Sequence, residues 1–152
     1  MPACYHILMA YTNKTQPTKV SPSALIKLRA KGKAQLQADA ETLIALYAKA
    51  SGSPCVLWGK IFGFGSYTYF DSKGGEHSSL ATGFALSSTG FTLYNMMGWA
   101  SYGDALKQLG AYKLSGKSCL AIKRVSDIDP RVLQSLIKQS LRDMKAKYAV
   151  KR

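Results

Sequence analysis

The stretch Trp58-Gly59-Lys60-Ile61-Phe62-Gly63-Phe64-Gly65-Ser66-Tyr67-Thr68-Tyr69-Phe70 puts six aromatics and three glycines in thirteen positions. Aromatic side chains carry large contact area and favour strands, while glycine permits turns, bulges and close backbone approach. The combination predicts a strand over Ser66–Phe70, kinked at Gly63 and Gly65, beside a core or a pocket. The turn Asp71-Ser72-Lys73-Gly74-Gly75 closes it.

Outward from this stretch the pattern alternates between strand and helix. Leu80–Leu86 and Phe91–Met97 flank Ser87-Ser88-Thr89-Gly90, which reads as a hairpin loop. Alternation sends Phe91, Leu93 and Asn95 to one face and Thr92, Tyr94 and Met96 to the other. A helix over about 100–109 ends at Gly110, a loop spans 110–117, and Ser118–Lys123 reads as a buried strand. On the N-terminal side, Cys55–Trp58 is a short apolar strand. Two helices precede it. Ser21-Pro22 starts the first, which runs to about Lys31 and stops at Gly32. The second, about 34–51, carries Leu36, Ala40, Leu43, Ile44 and Tyr47 on one stripe. The last helix follows Ser126-Asp127-Ile128-Asp129, which resembles a capping box, with Pro130 in the first turn. Leu133, Leu136, Ile137, Met144 and Tyr148 form its apolar stripe, opposite Arg131, Lys138, Arg142 and Lys145. The order ααβββαβα predicts an α+β fold, an antiparallel sheet of about four to five strands covered by N- and C-terminal helices.

A chain of 152 residues fits one domain and buries roughly 70% of its unfolded surface. The domain is expected over 12–141. Residues 1–11 read as an N-terminal extension, disordered or upstream of a true start at Met9, and 142–152 as a basic helix end or tail. The net charge of +13 sits mostly on the ends: residues 1–38 hold six basic side chains and no acid, and 142–152 hold five against Asp143. That distribution implies weak, nonspecific attraction to nucleic acid and other polyanions rather than a specific groove. Three widely spaced cysteines, Cys4, Cys55 and Cys119, with no CxxC, fit reduced thiols in a cytoplasmic protein. No apolar run reaches the roughly 20 residues of a membrane span, and residues 1–10 lack the basic and apolar regions of a signal peptide.

The chemistry-bearing motifs are few. Only His6 and His77 are available as imidazoles, and no His, Cys or carboxylate spacing suits a metal, so no metal, cofactor or catalytic constellation is expected. Asp127 and Asp129 lie where anions cap a helix. Gly116-Lys117-Ser118 fails as a phosphate loop: five residues separate Gly110 from Gly116, and a helix precedes where a strand is required. Gly63-Phe64-Gly65 starts no dinucleotide fingerprint, since position 68 is Thr and no helix follows. Cys119 near Lys117 is a candidate reactive thiol, because a neighbouring cation favours thiolate.

Taken as an ordered set, Asn13-Lys14-Thr15-Gln16-Pro17-Thr18, Trp58-Gly59, Gly63-Phe64-Gly65-Ser66-Tyr67, Gly83-Phe84, Thr92-Leu93-Tyr94 with Met96, Leu109-Gly110, Gly116-Lys117-Ser118-Cys119-Leu120 with Ile122-Lys123-Arg124, and Asp127-Ile128-Asp129 resemble the YdhG-like family of bacterial domains of unknown function. The resemblance covers about 12–141 and implies a cytoplasmic α+β domain, frataxin-like in fold, with a link to iron delivery. Hard cations want carboxylates, and this chain has eight acids and no acidic helix. The leading reading of the residues is therefore a non-enzymatic binding module for a small anionic ligand or a protein partner segment, at the sheet and the 110–118 loop. Trp58, Phe64, Tyr67 and Tyr94 are the candidate apolar walls, with Lys113, Lys117 and Ser118 as the polar end. Frataxin-like iron handling and nucleic-acid association through the basic termini are the alternatives. Oligomeric state is not legible.

Overall fold

The computed structural model describes residues 16–152; the expectations for residues 1–11 lie outside them. Pro22 opens α1 (Pro22–Arg29), its missing N–H costing nothing in a first turn. Then α2 (Ala34–Ser51) ends on Gly52, whose φ of 70° is the left-handed stop that glycine makes without strain. Four strands follow: β1 (Cys55–Trp58), β2 (Ile61–Phe70), β3 (Glu76–Leu86) and β4 (Phe91–Tyr94). A 3-10 turn, Trp99–Tyr102, leads into a single helical turn, α3 (Gly103–Leu106). The hairpin of β5 (Lys113–Ser115) and β6 (Cys119–Ile122) comes next, then α4 (Pro130–Lys145) and β7 (Ala149–Lys151).

All strand pairs are antiparallel, in the order β1-β2-β3-β4-β6-β5, with β7 also on β2. The α+β class is therefore as expected, with seven strands among the described residues rather than four or five. The additional strands, β5 and β7, have three residues each, too short to show a two-residue period. The expected 110–117 loop contains β5, and the expected basic tail ends in β7.

Within the aromatic–glycine stretch, Trp58 ends β1 and Ile61–Phe70 form one ten-residue strand, continuous through its kink. Its outer edge pairs with β1 over Ile61–Phe64 and with β7 over Ser66–Thr68. Gly65, with φ 71°, stands at the change of partner. A Cβ there would lie 2.9 Å from the Lys151 carbonyl oxygen. Phe62, Phe64 and then Tyr67 pack on the same cluster, so the alternation of faces slips by one residue at Gly65. At Gly63 the need is space: a Cβ would come within 2.5 Å of the Trp58 indole, which lies over the strand there.

The main core lies on the helix face of the sheet. Leu36, Leu43 and Tyr47 of α2 and Leu133, Leu136 and Ile137 of α4 meet Phe62, Phe64, Phe84, Leu93 and Leu120. The Tyr47 ring stacks on Phe64 at 5.3 Å, and Phe62 on Phe84 at 4.8 Å. Burying each large side chain stabilises the fold by about 1.5–3 kcal/mol before entropy is counted. Neighbouring strand residues point to the opposite face, where Trp58, Ile61, Leu80, Tyr94 and Cys119 form a second, smaller cluster.

Four local expectations are corrected. The fourth strand ends at Tyr94, not Met97, because the Asn95 side chain takes the Met97 N–H and turns the chain. The 100–109 helix is a 3-10 turn plus one helical turn, in a segment weakened by Gly103 and held off by a Trp99 N–H bond to the Lys117 carbonyl. The cap of α4 is Asp129, which accepts the Arg131 N–H at 2.9 Å. Ser126 sits in the preceding 3-10 turn, and Tyr148 lies beyond the helix with its ring on Tyr67.

Candidate functional site

Strand register brings small side chains together on the face opposite the helices. Ala85, Thr92, Ala121 and Lys113 occupy one cross-strand row of β3, β4, β6 and β5. The adjacent row holds Gly83, Tyr94, Cys119 and Ser115. Where bulky Tyr94 gives way to Thr92 and Ala121, the surface sinks into a cleft of about 520 Å³. Tyr112 and the 87–90 hairpin loop border it, and Lys113, Lys123 and Asp127 are its charged lining. That volume lies in the range of small-molecule sites, ~300–1,000 Å³. Both lysines are exposed, and neither has a carboxylate within 4 Å among the described residues.

Of the residues singled out from the sequence, Lys113 lines this cleft and the others do not. Phe64 is fully buried on the helix face. Trp58 and Tyr94 do share a cluster, but on the other face and buried within it. Tyr67 sits in the far half of β2 against Tyr69 and Tyr148. Burial, then the two neighbouring phenols, push its pKa up to about 12. The four aromatics therefore do not converge on one wall. Lys117 and Ser118 are structural: their carbonyls accept the Trp99 and Asn95 N–H groups, and the Lys117 stem runs along Gly98.

Cys119 is buried and disulfide-bonded, so it is not a thiol here, and the expectation of a reactive, reduced Cys119 is corrected. Burial pushes the Cys55 thiol up to about 12, which keeps it protonated and unreactive at neutral pH. Among the described residues no three His, Cys, Asp or Glu side chains gather in a way that could hold a metal. No helix is long and apolar enough to cross a membrane among them.

Sequence reasoning missed Thr92, Tyr112, Ala121 and Lys123. The available signal was the small size of Thr92 and Ala121 at outward positions of strands otherwise lined with Tyr94 and Cys119. Their coincidence depends on the β4–β6 register across a 24-residue connection, which no local pattern reports. No protein-family model matches the chain, and neither a curated protein nor a solved structure matches it.

Proposed function

We propose that the protein is a non-enzymatic binding module that holds a small anionic ligand in the Thr92–Ala121 cleft. The observation that carries this is a cavity of ligand size with a largely apolar wall and two unpaired ammonium groups against the single carboxylate of Asp127. An apolar body would sit on Thr92, Ala121 and Tyr112, with its charge toward Lys113 and Lys123. The test is an amide-shift titration with ring-bearing carboxylates and phosphates. Shifts should centre on 87–92, 111–113 and 121–123, and Lys113→Ala with Lys123→Ala should weaken binding at least tenfold, the value of one charge-assisted contact. Millimolar ligand with no localised shifts would overturn the reading. The same reading carries a cytoplasmic location with it, on the lack of any CxxC pair among three cysteines, and the Cys119 disulfide weighs the other way. Thiol counting on protein from its host checks this, and a Cys119 disulfide persisting there would count against it.

A second reading, association with polyanions, is favoured by the scarcity of ion pairs. Among the described lysines and arginines only Lys107 and Arg131 lie within 4 Å of a carboxylate.

A further inference from the structure

A second cavity, of about 270 Å³, adjoins the cleft and shares Thr89 and Lys123 with it. Its remaining polar lining comes from the start of α2, the hairpin loop and the end of β6: Lys33, Gln35, Asp39, Ser88 and Arg124. The two cavities are thus neighbouring compartments with one lysine and one threonine in common. Their characters differ. The cleft is broad, with small and apolar residues on its floor. The second cavity gathers three cations, Lys33, Lys123 and Arg124.

Its one acid is already committed. Asp39 is buried, with Oδ1 accepting from Gln35 Nε2 at 2.8 Å and Oδ2 from the Val125 N–H at 3.2 Å. That second bond ties the segment after β6 to α2, which holds Lys123 and Arg124 beside Lys33. The Lys33 ammonium donates to the Ser88 carbonyl, so the hairpin loop is held in the same arrangement. Counted with Asp39 as a carboxylate, the three cations leave the lining net positive. A guanidinium and two ammonium groups lining one cavity suit a dianion with several acceptor oxygens better than a single carboxylate.

Building on the cleft reading, we infer that the ligand is a phosphate monoester of a ring-bearing small molecule, its ring in the cleft and its phosphate in the Lys33–Lys123–Arg124 cavity. A monoester carries about two negative charges and three acceptor oxygens at neutral pH. Lys123, common to both cavities, sits where the ester linkage would cross.

The probes are 1-naphthyl phosphate, 1-naphthol and inorganic phosphate, titrated against the full chain and against Arg124→Gln and Lys33→Gln. Both substitutions are at exposed positions, and thermal unfolding of each variant confirms that it is folded. Naphthyl phosphate should bind at least tenfold tighter than naphthol, and each variant should erase most of that advantage while leaving naphthol binding unchanged. Equal binding of naphthol and its phosphate, or variants that leave the phosphate advantage intact, overturns the phosphate assignment while the cleft stands. Absence of binding by either aromatic probe overturns the cleft itself, and inorganic phosphate bound alone would then mark an ion site without a ring site.

Discussion

The Tyr47 hydroxyl is fully buried among Phe64 and Phe84 and has no hydrogen-bond partner among the described residues. Burial raises its pKa far above the ordinary value, so the phenol stays neutral. An unpaired buried hydroxyl costs about 1–3 kcal/mol in desolvation. Tyr47→Phe keeps the ring stacking and removes that cost. Denaturant unfolding should show equal stability or a gain of about 1 kcal/mol; a loss of that size would mean the hydroxyl is bonded in solution. Asp71 offers the opposite case, a carboxylate fully used at an exposed turn. It accepts from His77 Nε2 at 2.7 Å and from the Gly75 and Lys73 N–H groups. These bonds, His77 first, hold its pKa below the ordinary value. A depressed folded pKa adds stability that is present above the unfolded carboxylate value of about 3.9 and is lost as pH falls through the folded one. The carboxyl carbon resonance of Asp71 should titrate below an unstructured Asp, and the β2–β3 turn should loosen only in that acid range. A midpoint at the free value would contradict this.

At the level of elements, β7 is the piece whose role is least visible from its length. Its three residues cover the edge of Ser66–Thr68 that β1 leaves bare, and Gly65 makes the hand-over possible. Deleting residues 149–152 should therefore raise amide exchange of Ser66–Thr68 sharply while leaving Ile61–Phe64 protected by β1. Unchanged exchange at Ser66–Thr68 would show that β7 is not paired in solution. The same contrast explains what could be read in advance. The bounds of α2 and the stripe of α4 were legible because 18 and 16 residues carry several helical turns, punctuated by Gly52 at one end and Asp129-Pro130 at the other. The first three hairpin strands were legible from aromatic content and turn residues. β5 and β7 were not, since three residues hold no period. The candidate site failed for a related reason. Trp58, Phe64, Tyr67 and Tyr94 are near in sequence pattern but alternate between faces or lie past the slip at Gly65, whereas the cleft is built from register between distant strands.

For the whole molecule the question is what a net charge of +13 does once folded. Half of the eight acids are engaged locally: Asp39 holds the segment after β6, Asp71 closes a turn, Asp129 caps α4, and Asp143 accepts from the Tyr102 hydroxyl. The cations are largely left to solvent. Four of them gather in a crevice of about 210 Å³ where Lys138, Arg142 and Lys145 of α4 meet Arg152 beside the end of α2, with no acid in its lining. From Lys138 to Lys145 the helix rises about 10 Å, enough to span roughly three phosphates of one DNA strand at 3.4 Å per residue of axis. Neutralising three phosphates gives a slope of about −2.7 in log K against log salt. A duplex oligonucleotide of arbitrary sequence should thus bind at roughly 10⁻⁴–10⁻⁶ M near physiological salt, with no sequence preference. Replacing Lys138, Arg142, Lys145 and Arg152 by Gln should flatten that slope toward zero, whereas Lys113→Ala with Lys123→Ala should leave it alone. Arg152, whose guanidinium lies beside Gly52 at the C-terminal end of α2, complements the helix dipole, so the fourfold variant should lose about 0.3–1 kcal/mol of stability. The two effects separate by salt. Raising salt removes DNA binding from the native protein, thermal unfolding shows that the variant is folded, and DNA affinity independent of salt, or undiminished in the folded variant, would rule the crevice out as the contact.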